Sequence, residues 1–444
     1  MLSWNAMLSL VTFTGVMTLI VTERVQFTIA ALMGALALIC FNVLTLDEAV
    51  GYIGQSHATL ALFLGVMIMV RAFEPTQIFD YLATRMVILA KGQGKRLLMG
   101  IVAVTAPICA VLPNATTVML LAPLIPPMAE ELGVNFVPLL ILMVFIANSA
   151  GLITLVGDPA TFIVGDAVNI SFVDYLQRLS LGGIVAILAV VLLIPILFKK
   201  IWQKDLPDLS HLPHPKVNHP RMLVLGGGVA ATVLIFFGVG ESLPIPLSPA
   251  TVALLGAALC LWIVHHSKID TIQQVLRDVD WTTLLFFMSV FVLIGGLEKT
   301  GVIQAASGLF SRLLGQNIAL GAMVLIWVVG IISSLVPNIP LVVAMVPMIK
   351  EYTANVGFVP EAMLDPSYQG SFPDEVLPLF YAMMYGATLG GNGTLFGASS
   401  NIVAAGISEQ HGKGISFKTF LRYSIPVTLV QLVAISLYVW IRFL

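Results

Sequence analysis

The chain has 444 residues, of which 58% are hydrophobic and 10% charged, and its net charge is −2. A soluble domain carries about 25% charged residues, and no soluble fold of this size hides so much apolar surface, so the bilayer must be the solvent for the excess. The near-neutral charge excludes nucleic acid or another polyanion as the partner.

Full membrane spans are expected near 5–21, 26–45, 57–72, 136–165, 179–198, 221–240, 248–265, 281–297, 377–405 and 424–442. The first run lacks a basic leader, since its first positive residue is Arg24, and reads as a mature span rather than a signal peptide. Two further apolar stretches, 97–128 and 317–349, are interrupted midway by Pro113-Asn114 and Pro337-Asn338. Proline removes a donor and clashes with the preceding turn. Each stretch therefore reads as a re-entrant helical hairpin with Pro-Asn at its tip, a break tolerated at membrane depth only inside protein or beside a wet cavity. The segments 77–91 and 301–314 read as amphipathic helices at the interface.

The two halves share a register. His57-Ala-Thr-Leu-Ala-Leu-Phe aligns with Trp281-Thr-Thr-Leu-Leu-Phe-Phe at an offset of 224, as do Glu74 with Glu298, Pro113-Asn114 with Pro337-Asn338, and Pro123 with Pro347. At a slightly larger offset, Gly151-Leu-Ile-Thr-Leu-Val-Gly-Asp aligns with Gly391-Asn-Gly-Thr-Leu-Phe-Gly-Ala, and Ile170-Ser-Phe with Ile415-Ser-Phe. Such internal symmetry marks a secondary transporter. The expected fold is an all-α polytopic membrane protein of two inverted repeats, about five transmembrane helices each. Residues 1–200 form the first repeat, with hairpin 97–128 and broken span 136–165. Residues 201–220 form a linker. Residues 221–444 form the second repeat, with hairpin 317–349 and broken span 377–405. With the linker cytoplasmic, sixteen Lys and Arg fall inside and five outside, as the positive-inside rule requires. Both termini are then outside, and the localisation is a plasma (inner) membrane. The linker is Pro-stiffened and carries His211, His214 and His219. It reads as a solvated connector, with metal binding the lesser alternative. Cys40, Cys109 and Cys260 lie in apolar runs without a CxxC pair, and read as small buried hydrophobes rather than a disulfide or zinc set.

Broken helices free backbone donors and acceptors at mid-membrane, and polar residues placed there default to function, against the alternative that they glue helices together. The candidate solute site is Asn114, Thr116, Thr117, Asn148, Thr154, Asn338, Thr388, Asn392, Thr394 and Asn401, with Ser149, Ser399 and Ser400 nearby. A tip asparagine can also cap the second arm of its hairpin. Asp158 is the sharpest candidate, an acid in the unwound part of an apolar span whose counterpart is Ala398. A desolvated acid can take up a proton or hold a cation. It can also simply cap the arm that begins at Pro159. Glu74 and Glu298 look interfacial, and Asp166 reads as a solvated end residue. There is no HExxH, Walker loop or GxSxG, so an enzyme is not expected. No cofactor or metal is expected, the coupling ion being H+ or Na+. Without a nucleotide motif, a gradient or a separate ATPase subunit drives transport.

At these residues the chain resembles the ion transporter superfamily, in the branch of arsenite permeases, NhaD-type sodium/proton antiporters and melanosomal P proteins. The strings that carry the likeness are Asn114-Ala-Thr-Thr-Val-Met-Leu-Leu-Ala-Pro, Asn148-Ser-Ala-Gly-Leu-Ile-Thr-Leu-Val-Gly-Asp-Pro, Val336-Pro-Asn-Ile-Pro and Gly390-Gly-Asn-Gly-Thr-Leu-Phe-Gly-Ala-Ser-Ser-Asn. The resemblance implies a scaffold with a mobile transport domain, an elevator mechanism and a homodimer. Relatives often carry an acid before the tip asparagine; here Pro113 and Pro337 take those places. Neutral tips favour an uncharged solute, so the leading expectation is arsenite or antimonite efflux with Asp158 carrying the exchanged proton. The alternatives are sodium- or proton-coupled transport of a small inorganic anion or dicarboxylate, and sodium/proton antiport.

Overall fold

The computed structural model describes residues 3–22, 24–207, 217–365, 368 and 370–444. His211 and His214 lie outside them. Among the described residues the chain is helical without a strand, apart from one bridging pair, Gln93 with Asp205.

The helices run in chain order as follows. The first group is α1 (Trp4–Val21), α2 (Phe27–Cys40), α3 (Leu46–Gln55), α4 (His57–Phe73) and α5 (Ile78–Ala90). A hairpin follows, with α6 (Gly94–Cys109) as one arm and α7 (Asn114–Leu121) plus α8 (Ile125–Glu131) as the other. Then come α9 (Phe136–Ala150) and α10 (Pro159–Ala167), separated by an unwound stretch, and α11 (Phe172–Arg178), α12 (Ser180–Leu197) and α13 (Lys199–Trp202). The second half holds α14 (Pro220–Val239), α15 (Pro249–Ser267), α16 (Ile272–Arg277), α17 (Trp281–Lys299) and α18 (Val302–Leu314). The second hairpin is α19 (Ile318–Ser333) and α20 (Asn338–Asn355). It is followed by α21 (Leu377–Gly390), another unwound stretch, α22 (Ser399–Gln410) and α23 (Phe417–Phe443). Seven of the described helical segments, including α1, α4, α12, α14, α15, α17 and α23, are long and apolar enough to cross a bilayer, and the chain is a multi-pass membrane protein.

Two details depart from the sequence reading. The span expected over 26–45 stops at Cys40, because Asn42 turns left-handed (φ 58) and Thr45 opens α3 with a capping box to Glu48. Cys40 is accordingly exposed, while Cys109 and Cys260 are buried.

Close approach depends on small residues, as in membrane bundles generally. On α4, a Cβ at Gly65 would stand 2.6 Å from the Ala253 carbonyl carbon of α15. On α21, a Cβ at Gly390 would stand 2.2 Å from the Gly330 oxygen of α19. Thr28 of α2 donates to the Thr282 carbonyl of α17 at 3.0 Å. Helices α1–α4 and α14–α17 pack mainly with one another, while the hairpins, with α5 and α18 against them, the broken helices, α12 and α23 form the other layer. At one edge Arg71, at the end of α4, binds Asp278 (2.7 Å), Asp270 (3.2 Å) and Glu74 (3.2 Å), fixing the turn that leads into α17.

Candidate functional site

The two unwound stretches, 151–158 and 391–398, lie against the two hairpin tips and repeat the same local bonds. Thr154 donates to the Ala110 carbonyl at the first tip (2.5 Å), and Thr394 to the Ser334 carbonyl at the second. Cys109 donates to the Ala147 carbonyl (2.9 Å) and Ser333 to that of Ala387 (2.5 Å). Inside each break a side chain from the following helix stitches the loose carbonyls. Thr161 reaches Leu155 and Asp158, and Asn401 reaches Gly391 and Thr394. Even the backbone agrees: Pro113 and Pro337 share φ −52, with ψ 140 and 138, and Asp158 and Ala398 have φ −145 and −143. A proline extended in this way is itself the cap residue. Asn114 and Asn338 therefore stand at the first helical position, one step inside the cap role given them from sequence.

The Asn114 side-chain oxygen accepts from the Ala115 N–H (2.8 Å), and its NH2 group turns inward. Its amide donates to Asp158 (2.6 Å) and Asn148 (3.2 Å). Asp158, fully buried, also caps α10 through the Ala160 N–H (2.7 Å). The Asn338 side chain of the second tip lies beside the same carboxylate, so one tip donates to the acid and the other adjoins it. Ala398 offers no carboxylate to the second tip.

From Asn148 the network crosses to the second break. Its amide donates to Asn392 (2.9 Å) and Asn401 (3.1 Å), and its carbonyl oxygen accepts from Ser400 (2.5 Å). Asn392 donates to Gln431 of α23 (2.9 Å), which donates in turn to Ser149 (2.7 Å) and the Ala186 carbonyl (3.0 Å). The remaining candidates stand apart. Thr117 donates to the Leu112 carbonyl of its own tip (3.4 Å), Thr116 is buried on α7, and the buried hydroxyl of Thr388 has no hydrogen-bond partner among the described residues. Gln431 was missed in the sequence. Its only signal was a single neutral amide in the mostly apolar middle of α23, away from either break.

Beside the network lies a cavity of about 290 Å³. Its floor is Pro337, Asn338 and Ile339 of the second tip, Ala115 and Met119 of α7, and Ser399 and Ile402 of α22. Asp280, Thr282, Phe286 and Phe287 of α17 form the facing wall. The cap residues of α20 and α22, Pro337 and Ala398, make no side-chain cap bond, and the starts of both helices lie at this cavity.

Apolar crossing helices, two discontinuous elements and a polar junction between them define a secondary membrane transporter. The family described as CitMHS, citrate transporter, matches residues 17–368. The chain belongs to that family, and its resemblance to the ion transporter superfamily is borne out. It is 63% identical over 439 residues to an uncharacterised transporter of Synechocystis (99% of this chain, 98% of the relative). It is 32% identical over 439 residues to an uncharacterised transporter of Mycobacterium tuberculosis (97% of each). The mouse P protein is 28% identical over 500 residues, covering 94% of this chain and 58% of that protein. The YdaH transporter of Alcanivorax borkumensis has a similar fold, with a TM-score of 0.54 at 14% identity over 88% of this chain and 86% of that one.

Proposed function

We propose that the chain is a proton-coupled carrier of a small carboxylate-bearing anion, working by movement of the hairpins and broken helices against α1–α4 and α14–α17. The observation that carries the reading is the pair of uncapped helix starts, α20 and α22, at one cavity with the Asn338 amide between them. Oriented N–H groups and dipole ends hold an anion without a charged side chain, each end contributing about 0.3–2 kcal/mol. The family's description as citrate transporters points the same way.

Asp158 is the proposed proton carrier. Its carboxylate accepts from Asn114 and the Ala160 N–H, with the Asn338 side chain beside it. A protonated carboxyl group carries a donor and is a poorer acceptor, which weakens its hold on the Asn114 amide. The Asn114 amide cannot simply turn over, because its oxygen already accepts from the Ala115 N–H (2.8 Å). Proton uptake is thereby tied to the position of a hairpin tip. The proposed orientation is an inner membrane with the linker and this cavity on the cytoplasmic side, in a homodimer.

The test is uptake of radiolabelled citrate and succinate into proteoliposomes under an imposed pH gradient, with a sodium gradient as the comparison. Saturable flux that follows the pH gradient is expected; its absence for both anions would refute the reading. A second reading, efflux of the neutral triols arsenite or antimonite, has one observation in its favour: no Lys or Arg lines the cavity among the described residues. Flux of these triols without flux of carboxylates would establish it instead.

A further inference from the structure

The cavity's facing wall carries a charge the anion reading does not need. Asp280 is the only ionisable group among the described residues that line it. The side chain is fixed: it caps α17 by accepting from the Thr283 N–H (3.0 Å) and from the Thr283 hydroxyl (2.5 Å). Capping does not require an acid, since Asn and Ser serve equally well. Elsewhere the chain's described side-chain caps are Ser3, Thr45, Asn135, Ser171, Ser248, Thr271, Asn317 and Ser416, with Asp158 the one other acid.

The register of the two halves sharpens the contrast. At the offset of 224 that aligns 57–63 with 281–287, Asp280 falls on Ser56. Ser56 precedes α4 as Asp280 precedes α17, makes no capping bond and carries no charge. If the solute elements move between the two frame helices, the anion meets a carboxylate on one side of the membrane and a hydroxyl on the other.

The geometry points to Asp280 as a one-sided release residue: a positioning residue on the frame that weakens anion binding only in the conformation whose cavity opens beside α17. The inference rests on the anion reading above. A like charge beside the bound solute lowers its affinity there and speeds its departure, while the opposite side keeps its higher affinity. The accumulation reached at steady state is unaffected, because the driving gradient fixes it.

The experiment measures half-saturation for radiolabelled citrate in everted and in right-side-out membrane vesicles, at one fixed pH gradient. Asp280→Asn keeps the cap and removes the charge. The expected result is a fall in half-saturation of roughly 3- to 10-fold in everted vesicles, no change in right-side-out vesicles, and an unchanged steady-state accumulation. Ser56→Asp is the reciprocal change and should raise half-saturation in right-side-out vesicles only. Equal shifts on both sides, or none on either, with wild-type citrate flux intact, would overturn the role of Asp280 alone. Absence of saturable citrate flux in wild-type vesicles would overturn the anion reading and this inference with it.

Discussion

Substituting Asp158 by Asn separates the proton from the scaffold it supports. The amide oxygen of Asn can still cap α10 at the Ala160 N–H, now 2.7 Å from the Asp158 oxygen. Its NH2 group would face the Asn114 amide, at present a donor 2.6 Å from the other carboxylate oxygen. One charge-assisted hydrogen bond is lost, worth about 1.5–3 kcal/mol, while the burial cost of a carboxylate is relieved. The net loss should be about 1–2 kcal/mol, a few degrees of melting temperature in a chain of this size. Alanine is harsher: the cap goes too, for about another 1 kcal/mol. In proteoliposomes, Asp158→Asn should abolish accumulation driven by the pH gradient yet retain solute exchange without a gradient. Full gradient-driven accumulation by a folded Asp158→Asn protein would refute the assignment of the proton to this residue.

Asn148→Ala removes four side-chain hydrogen bonds, to Asn114, Asn392, Asn401 and Ser400. At about 0.6 kcal/mol each in a membrane protein, thermal unfolding in detergent should show a loss of about 2–3 kcal/mol. Gly390→Ala sets a methyl group 2.2 Å from the Gly330 oxygen, whereas Gly406 has nothing within 4 Å; the first should abolish recovery of monodisperse protein in size-exclusion chromatography, the second should not change it. On the exposed rim, Lys299 and Thr45 hold the Glu48 carboxyl at about 2, below its ordinary 4.5. A depressed acid stabilises the fold above its unfolded value and loses that contribution as pH falls toward its folded value. The difference in melting temperature between wild type and Glu48→Gln should therefore be largest above pH 5 and shrink as pH is lowered toward 2.

Much of this architecture was legible because the bilayer makes polarity expensive. Pro113-Asn114 and Pro337-Asn338 in apolar text announced the two tips, and Gly157-Asp158-Pro159 and Gly391-Asn392-Gly393 the two breaks. The first tip and the two breaks are joined by hydrogen bonds through Asp158 and Asn148, and the second tip lies beside them. What stayed hidden was set by three-dimensional partnership. Gln431 gives no local sign that its amide closes the network between Asn392 and Ser149. Asp280 reads as an ordinary helix start until the cavity is seen beside it. Thr116, Thr117 and Thr388 fit the same polar pattern as Asn148, yet Thr117 bonds within its own tip and the Thr388 hydroxyl has no partner among the described residues.

The asymmetry between the two halves also bears on why one acid suffices. Asp158 and Ala398 have the same backbone conformation, so a carboxylate at either place could cap the following helix. Two buried carboxylates in one junction would repel each other, and each would need its own donors. With Ala398 in the second place, Asn338 is left without an acid of its own and stands beside Asp158, to which Asn114 donates. On the proposed reading, a single protonation event there is felt at both hairpin tips. Two acids, each bound to its own tip, would let the tips respond separately and allow the coupling ion to slip. The neutral residue at position 398 is thus as much a part of the proposed coupling as the charged one at 158.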